Sequence, residues 1–265
     1  MPILELQNLT RRFGPLTAVN QLNLSIDQGE MFGLLGPNEA GKSTTIKMLI
    51  TLLPPSAGTA LVDGFDIGRQ AGAVRRLIGY VPQMLSADGT LTGMENLLVF
   101  ARLYDIPRRE RRERVQAALD FMGLTEAAQR LVRQYSGGMI RRLEIAQSML
   151  HRPRVLFLDE PTVGLDPAAR RAVWDHIEEL RGRTGATVIL TTHQMEEADA
   201  LCDRIAIMHR GNLVALGTPG QLKGGIGRQG ASLDDVFIHY TGSNLDSGGT
   251  YRETRRTRRR VRRLG

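Results

Sequence analysis

The sequence predicts an α/β fold in which a mixed or parallel sheet surrounds a phosphate-binding loop. Three observations predict this fold. A glycine-rich loop at residues 36–44 separates an apolar segment from an amphipathic one. Two segments of alternating apolar and polar residues precede this loop and predict an N-terminal antiparallel β subdomain. A long stretch of helical periodicity, about residues 88–150, predicts an inserted helical subdomain.

The glycine-rich loop matches the phosphate-loop pattern Gly-x-x-x-x-Gly-Lys-Ser/Thr. Residues 31–35 predict a buried strand before the loop, and a helix ended by the prolines at 54–55 should follow it. Free backbone N–H groups and a helix N-terminus favour phosphate at such a turn. Lys42 would then reach the β- and γ-phosphates of a nucleotide, and Ser43 would ligate Mg²⁺. The helix would be buried along Ile46, Leu49, Ile50 and Leu53.

The two alternating segments, residues 4–9 and 22–26, predict antiparallel strands beside the nucleotide core. Phe13 lies between them. Taken alone, this side chain is better explained by core packing than by stacking of its ring on a purine base. Residues 58–64 predict a further strand and turn beyond the first helix.

The strand predicted at residues 78–83 ends at Pro82 and places Gln83 at a junction between strand and loop. Taken alone, Gln83 would be a solvated loop residue. Helical periodicity follows at residues 95–103 and 112–122. The arginines near residue 110 alternate with glutamates and indicate a solvated helix face.

Two glycines open the next predicted helix, where Gly137 and Gly138 would leave backbone N–H groups free for a second phosphate contact. Residues 155–160 then form an apolar run that ends in Asp159 and Glu160. Such a run predicts a strand buried on both faces, with its carboxylates at the ligand-binding edge of the sheet. One carboxylate could hold Mg²⁺ while the other positions water. The inward face of the helix would contain Met139, Leu143, Ala146 and Leu150.

The end of the predicted core contains a turn at residues 164–167, a helix, and a buried strand at residues 186–191. His193 follows this strand and is the histidine that lies at the expected ligand edge. Residues 204–208 and 213–216 predict a closing hairpin.

The length of 265 residues and the hydrophobic content of 42% suit one large α/β domain with an inserted subdomain. No apolar run approaches the ~18 residues that span a bilayer. The first residues do not form a signal peptide, so we expect the protein to stay in the cytoplasm. The single cysteine, Cys202, excludes an intrachain disulfide and is expected to be a small buried side chain.

The formal net charge of +7 belongs to the C-terminal end of the chain. Residues 251–265 contain eight arginines and one glutamate, which leaves the rest of the chain neutral. We expect residues 243–265 to form a basic, disordered tail that contacts an anionic membrane surface. Binding of nucleic acid by the tail and a merely solubilising role are the alternatives.

Together these segments resemble the nucleotide-binding subunit of ATP-binding cassette (ABC) transporters over about residues 4–242. The match covers several motifs in the family's order, and the signature serine precedes the Walker B aspartate by 23 residues. These motifs are the adenine-stacking aromatic (Phe13), Walker A (residues 36–44), the Q-loop (Gln83), the signature (residues 135–139), Walker B (residues 156–160), the D-loop (residues 164–166) and the switch histidine (His193).

The resemblance implies an α/β P-loop ATPase core at residues 1–242 that binds ATP and Mg²⁺. Two copies would close head to tail as a homodimer, with each ATP between Walker A of one copy and the signature of the other. Glu160 would polarise the attacking water, His193 would contact the γ-phosphate, and Gln83 would link the Mg²⁺ site to the membrane partner. The implied metal ligands are Ser43, Gln83 and Asp159. The implied nucleotide contacts are Phe13, Gly36, Asn38, Ala40, Gly41, Lys42, Ser43, Thr44, Ser136, Gly137, Gly138 and Asp166.

The signature segment and residues 232–242 are most similar to type-2 exporters, in particular to daunorubicin-resistance-type efflux ATPases. This similarity implies an ATPase that drives efflux of a drug-like or other hydrophobic substrate through a separate transmembrane permease. The subunit would lie on the cytoplasmic side of the membrane. The alternatives are a soluble ABC ATPase and a nucleic-acid-associated protein that uses the arginine-rich tail. Nucleic acid is not an expected partner, because the tail is the only feature that favours nucleic-acid binding.

Glu39 departs from the family pattern, which has glycine in the middle of Walker A. At ~5 Å and an effective dielectric of about 20, one opposed unit charge costs roughly 3 kcal/mol. We therefore expect weaker nucleotide binding unless the carboxylate points outward or pairs with a cation. Val163, where serine is common, is a smaller departure.

Overall fold

A computed structural model describes residues 2–242, which form ten strands and nine α-helices. The strands are β1 (Pro2–Phe13), β2 (Leu16–Asp27), β3 (Met31–Leu35), β4 (Ala57–Val62), β5 (Phe65–Asp66), β6 (Ile78–Val81), β7 (Val155–Asp159), β8 (Thr187–Thr192), β9 (Arg204–His209) and β10 (Asn212–Gly217). The helices are α1 (Lys42–Leu49), α2 (Ala71–Leu77), α3 (Gly93–Leu103), α4 (Arg108–Phe121), α5 (Gly137–Met149), α6 (Pro167–Thr184), α7 (Met195–Leu201), α8 (Pro219–Gly225) and α9 (Leu233–Thr241).

The strands form two sheets, and together with the helices they confirm the predicted α/β fold. The larger sheet has the order β10-β9-β3-β8-β7-β6; β10 pairs antiparallel with β9, and the other neighbours pair parallel. The smaller sheet has the order β2-β1-β4-β5 and is antiparallel throughout. The sequence therefore predicted both the mixed core sheet and the antiparallel N-terminal part.

The central strands are mostly apolar because both faces of the large sheet are covered. Every residue of β3, β7 and β8 is buried. Their parallel register aligns Leu35 with Thr192 and Asp159 with Thr191. The loops that follow these three strands consequently emerge at one edge of the sheet, which is where ligands bind in open α/β folds.

Helix α1 is shorter than its apolar pattern predicts. It begins at Lys42, directly after Gly41, whose φ of 103° is readily adopted by glycine. It ends at Leu49, and Thr51 then adopts a left-handed φ of 64°. The prediction that the prolines at 54–55 end this helix is therefore wrong, because the chain leaves the helix several residues before them.

Helices α3, α4 and α5 lie between β6 and β7, in the region where the sequence predicts the inserted helical subdomain. Helix α3 starts with a capping box formed by Thr92 and Glu95. Helix α5 buries Leu143 and Ala146, and Leu150 is buried directly after its last residue. The helix also buries polar side chains that its apolar pattern did not predict. These are Arg141, Glu144, Gln147 and Ser148.

Cys202 is a buried free thiol, as predicted. Within residues 2–242 no helix is both long and apolar enough to cross a membrane. The predicted tail at residues 243–265 lies outside the described residues, so its order and its membrane contact stay predictions, as does the boundary between domain and tail.

Candidate functional site

The phosphate loop lies between β3 and α1 and holds its lysine in place with its own backbone. Lys42 is buried, and its Nζ donates to the carbonyl oxygens of Gly36 at 2.7 Å and Pro37 at 3.1 Å. The Gly36 amide donates to the Thr192 carbonyl oxygen at 3.2 Å, which ties the loop to the end of β8. Glycine is required at 36, since a Cβ there would come within 2.3 Å of the Met208 carbonyl oxygen.

Asp159 connects the end of β7 with the loop and with β8. Its Oδ1 accepts hydrogen bonds from Ser43 Oγ at 2.9 Å and from Thr191 Oγ1 at 2.6 Å. Tyr80, on the neighbouring strand β6, has its pKa raised to about 12 by burial and by the charge of Asp159. Asp159 is thus a buried carboxylate whose oxygen is oriented by two hydroxyl groups.

Glu160 is the residue on which the other predicted polar groups converge. Its Oε1 lies 3.3 Å from Lys42 Nζ, and its Oε2 lies 3.3 Å from His193 Nδ1. Gln83 Nε2 donates to the same Oε2 at 3.0 Å. Four residues from separate segments therefore meet within hydrogen-bonding or ion-pairing range.

The backbone of Glu160 is held in an unusual conformation. Its φ of 49° is left-handed, which costs a non-glycine residue about 1–3 kcal/mol. Its amide donates to both the carbonyl oxygen and Oγ1 of Thr191, at 3.1 and 3.0 Å. These bonds anchor the strained turn and aim the carboxylate at Lys42.

The charges in this cluster alter one another's protonation. Burial alone would raise the pKa of Glu160, but His193 and Lys42 outweigh burial and hold that pKa below its ordinary value. Burial lowers the pKa of Lys42, and the charges of Glu160 and Asp159 partly oppose this change. Glu160 is therefore ionised at neutral pH and can accept a proton or orient a water molecule.

The loop and the carboxylate share one cleft of about 190 Å³. Glu39 lines this cleft with an exposed side chain and a left-handed φ of 70°, which explains why glycine suits its position. No ion pair to Glu39 occurs among the described residues. The residues that line the cleft are Pro37, Asn38, Glu39, Ala40, Gly41, Lys42, Ser43, Thr44, Gln83 and Glu160.

The second predicted phosphate contact, the helix start at residues 136–138, does not line this cleft. Ser136 caps α5 by accepting a hydrogen bond from the Met139 amide at 3.3 Å. Asp166 caps α6 in the same way through the Ala169 amide at 2.9 Å. The two helix starts pack closely, because a Cβ at Gly138 would lie 3.0 Å from Ala169 Cβ.

Phe13 lies at the end of β1 and does not pack in the core. Its side chain is 45% exposed, and the Arg11 guanidinium carbon sits 4.6 Å from the ring centroid. This exposure contradicts the core-packing interpretation and leaves the ring accessible to a stacking partner.

A model of the ABC transporter family matches residues 19–163 of this chain. The chain belongs to the ABC transporter family. The ABC ATPase is 47% identical to the daunorubicin/doxorubicin resistance ATP-binding protein DrrA of Streptomyces peucetius, over 84% of this chain and 68% of that protein. It is 41% identical to the linearmycin resistance ATP-binding protein LnrL of Bacillus subtilis, over 92% of this chain and 76% of that protein.

Solved structures agree with this assignment. An ATP-binding subunit of an ABC transporter matches with a TM-score of 0.80 and 30% identity, over 90% of this chain and 99% of that chain. The subunit cbiO1 of Clostridium perfringens, part of the transporter complex cbiONQ, matches with a TM-score of 0.76 and 29% identity, over 83% and 90% of the two chains. This chain is thus an ATP-binding subunit whose ATPase activity is coupled to transport.

One residue of the ABC ATPase site, Thr191, was not predicted from the sequence. Thr191 orients Asp159 and Glu160, yet it appears in the sequence as an ordinary residue of an apolar strand. The sequence signal for Thr191 was a hydroxyl group near the C-terminal end of a buried strand, opposite Asp159 at the end of the neighbouring strand.

Proposed function

We propose that this ABC ATPase is the ATP-hydrolysing subunit of a type-2 exporter that moves a drug-like or other hydrophobic substrate through a separate permease. The convergence of Lys42, Gln83 and His193 on Glu160 supports hydrolysis. The resistance functions in the names of the similar proteins DrrA and LnrL support efflux as the direction of transport. The subunit would act on the cytoplasmic side of the membrane.

In this proposal the phosphate loop binds the β- and γ-phosphates of ATP. Lys42 Nζ and the N-terminus of α1 face the same cleft, so an ammonium group and backbone N–H groups both neutralise phosphate charge. Phe13 would stack on the adenine through the face of its ring that the Arg11 guanidinium does not cover. The remaining loop contacts would come from Gly36, Asn38, Ala40, Gly41, Ser43 and Thr44.

Ser43, Asp159 and Gln83 would hold Mg²⁺. The hydroxyl, carboxylate and amide oxygens of these residues are the hard ligands that this ion prefers, and Ser43 Oγ already lies 2.9 Å from Asp159 Oδ1. When bound, Mg²⁺ neutralises charge that develops on the phosphates. Thr191 keeps Asp159 oriented toward Ser43.

Glu160 would act on the attacking water. The ionised carboxylate can orient this water and accept its proton, while Gln83 and His193 keep the carboxylate from rotating. His193 would also contact the γ-phosphate. Phosphoryl transfer needs chiefly alignment and neutralised charge, and these residues supply both.

A second copy of the chain would complete each site. Ser136, Gly137, Gly138 and Asp166 lie at two helix N-termini that do not line the cleft of their own chain. In a head-to-tail homodimer these N-termini would meet the γ-phosphate bound to the other copy. Closure of the dimer on ATP and its reopening after hydrolysis would drive transport.

The permease would contact apolar side chains exposed beside the site. Met84 and Leu85 follow Gln83 and are 82% and 50% exposed, and α3 exposes Leu103 at 70%. Replacing both Met84 and Leu85 with serine should leave the ATPase of the isolated subunit within about twofold, since neither residue touches the cleft. Stimulation of the ATPase by the permease in proteoliposomes should fall about tenfold or more, because desolvated apolar anchors dominate interface energies.

Leu16→Ser is the matched control for this experiment, because Leu16 is 63% exposed on the N-terminal strands. It should leave permease stimulation unchanged. Equal stimulation of the wild type and the Met84/Leu85 double variant would exclude this surface as the docking site.

Transport itself can be measured in inverted membrane vesicles that contain the subunit and a co-produced six-helix permease. A fluorescent anthracycline should accumulate in these vesicles only with ATP, and Lys42→Ala should abolish accumulation. If accumulation with a functional permease were independent of this subunit, the export function would be contradicted.

A further inference from the structure

The loop that carries Gln83 is held at both ends by two buried side chains of α5. Arg141 Nη1 donates to the Pro82 carbonyl oxygen at 2.6 Å, and Nη2 donates to the Gln83 carbonyl oxygen at 2.8 Å. Glu144 Oε1 accepts from the Ser86 amide, from Ser86 Oγ at 3.1 Å and from the Ala87 amide at 3.3 Å. One helix therefore binds the loop backbone before and after its exposed tip.

Arg141 and Glu144 also pair with each other, with Nη1 of Arg141 3.0 Å from Oε2 of Glu144. Their side chains are only 2% and 1% exposed. A buried ion pair is poor evidence for stability, because desolvation offsets much of its attraction. The other hydrogen bonds of this pair go to the loop that carries Gln83, and mostly to its backbone. Such an arrangement is suited to holding this loop in one position relative to α5.

The same helix and loop connect the two halves of the proposed ATP site. At one end, Gln83 Nε2 donates to Glu160 Oε2. At the other, α5 begins at Gly137 under the Ser136 cap, whose proposed role is to contact ATP bound to the second copy. A displacement of α5 is consequently passed to the Gln83 backbone through the rigid guanidinium of Arg141.

We propose that Arg141 and Glu144 are positioning residues that move the Gln83 loop and the signature helix as one unit, so that Gln83 engages Glu160 only when α5 is correctly placed. This inference rests on the role of Gln83 in the proposed function. Neither Arg141 nor Glu144 touches the cleft, so both act through Gln83.

Arg141→Lys tests the proposal, because an ammonium group cannot donate in a planar fork to two carbonyl oxygens and a carboxylate. We expect kcat for ATP to fall about tenfold while KM stays within about threefold, since misplacement of Gln83 affects the chemical step more than binding. Arg114→Lys on α4 is the matched control. Arg114 likewise pairs with a glutamate, Glu110, and donates to a backbone carbonyl, but it does not contact the Gln83 loop.

The decisive comparison adds Gln83→Ala. If Arg141 acts through Gln83, the double variant should have the kcat of Gln83→Ala alone, whereas independent effects would multiply. Trp174 fluorescence and the melting temperature verify that each variant is folded. Unchanged kcat in Arg141→Lys, or multiplied effects in the double variant, would overturn the inference while leaving the proposed function intact. Unchanged kcat in Gln83→Ala alone would overturn both the role of Gln83 and the inference that depends on it.

Discussion

Glu160→Gln should lower kcat for ATP hydrolysis about 10²–10⁴-fold while ATP binding is retained. The reason is that the amide keeps the shape of the side chain but cannot accept a proton from water. Because the single amide oxygen can still accept a hydrogen bond from Lys42, the cleft should stay formed. ATPase assays and calorimetry with ATP measure the two effects separately.

The same variant should accumulate as an ATP-bound dimer on a sizing column, whereas the wild type should dimerise only transiently. Glu30→Gln makes an informative control, since it neutralises a buried carboxylate that pairs with Arg204 outside the cleft. Wild-type turnover in Glu160→Gln would contradict the assignment of Glu160 as the catalytic carboxylate.

Glu39→Gly should tighten ATP binding about fivefold to tenfold. Its carboxylate lines the phosphate cleft without an ion-pair partner among the described residues. Since Glu39 is exposed, solvent screening reduces the electrostatic cost to about 1 kcal/mol, which is less than the unscreened charge argument predicts. Calorimetry at low ionic strength gives the largest difference between the variant and the wild type.

Comparison with Glu39→Gln separates charge from backbone strain. Both variants remove the charge and should bind ATP more tightly, but only glycine relieves the left-handed φ of 70°. Glu39→Gly should therefore also raise the free energy of unfolding by about 1 kcal/mol, while Glu39→Gln should leave it nearly unchanged. Equal ATP affinity in the wild type and both variants would show that Glu39 does not interact with the phosphates.

Much of the fold follows from short-range patterns in the sequence. Mostly apolar runs predicted the buried strands β7 and β8, and the carboxylates that end the first run predicted Asp159 and Glu160 at the ligand edge. The positions of Glu160 and His193 after buried strands also predicted that both would lie at the ligand edge of the sheet.

Other features depend on contacts that no local pattern contains. Helix α1 ends at Leu49 although its apolar periodicity continues, because the left-handed turn at Thr51 sends the chain away before the prolines. Arg141 and Glu144 look like surface residues of an amphipathic helix, yet the loop after β6 buries both of them. The role of these two side chains depends on the backbone groups of the Gln83 loop that they contact, and only the tertiary structure shows those contacts.

The proposal that each ATP site is built from two copies of the chain is tested by Ser136→Arg in the Glu160→Gln background. Ser136 lies outside the cleft of its own chain, so the double variant should bind ATP with the affinity of Glu160→Gln. It should nevertheless remain monomeric on a sizing column with ATP, because the arginine would block the partner's phosphate site. ATP-dependent dimers equal to those of Glu160→Gln, or loss of ATP binding by the monomer, would contradict the composite site.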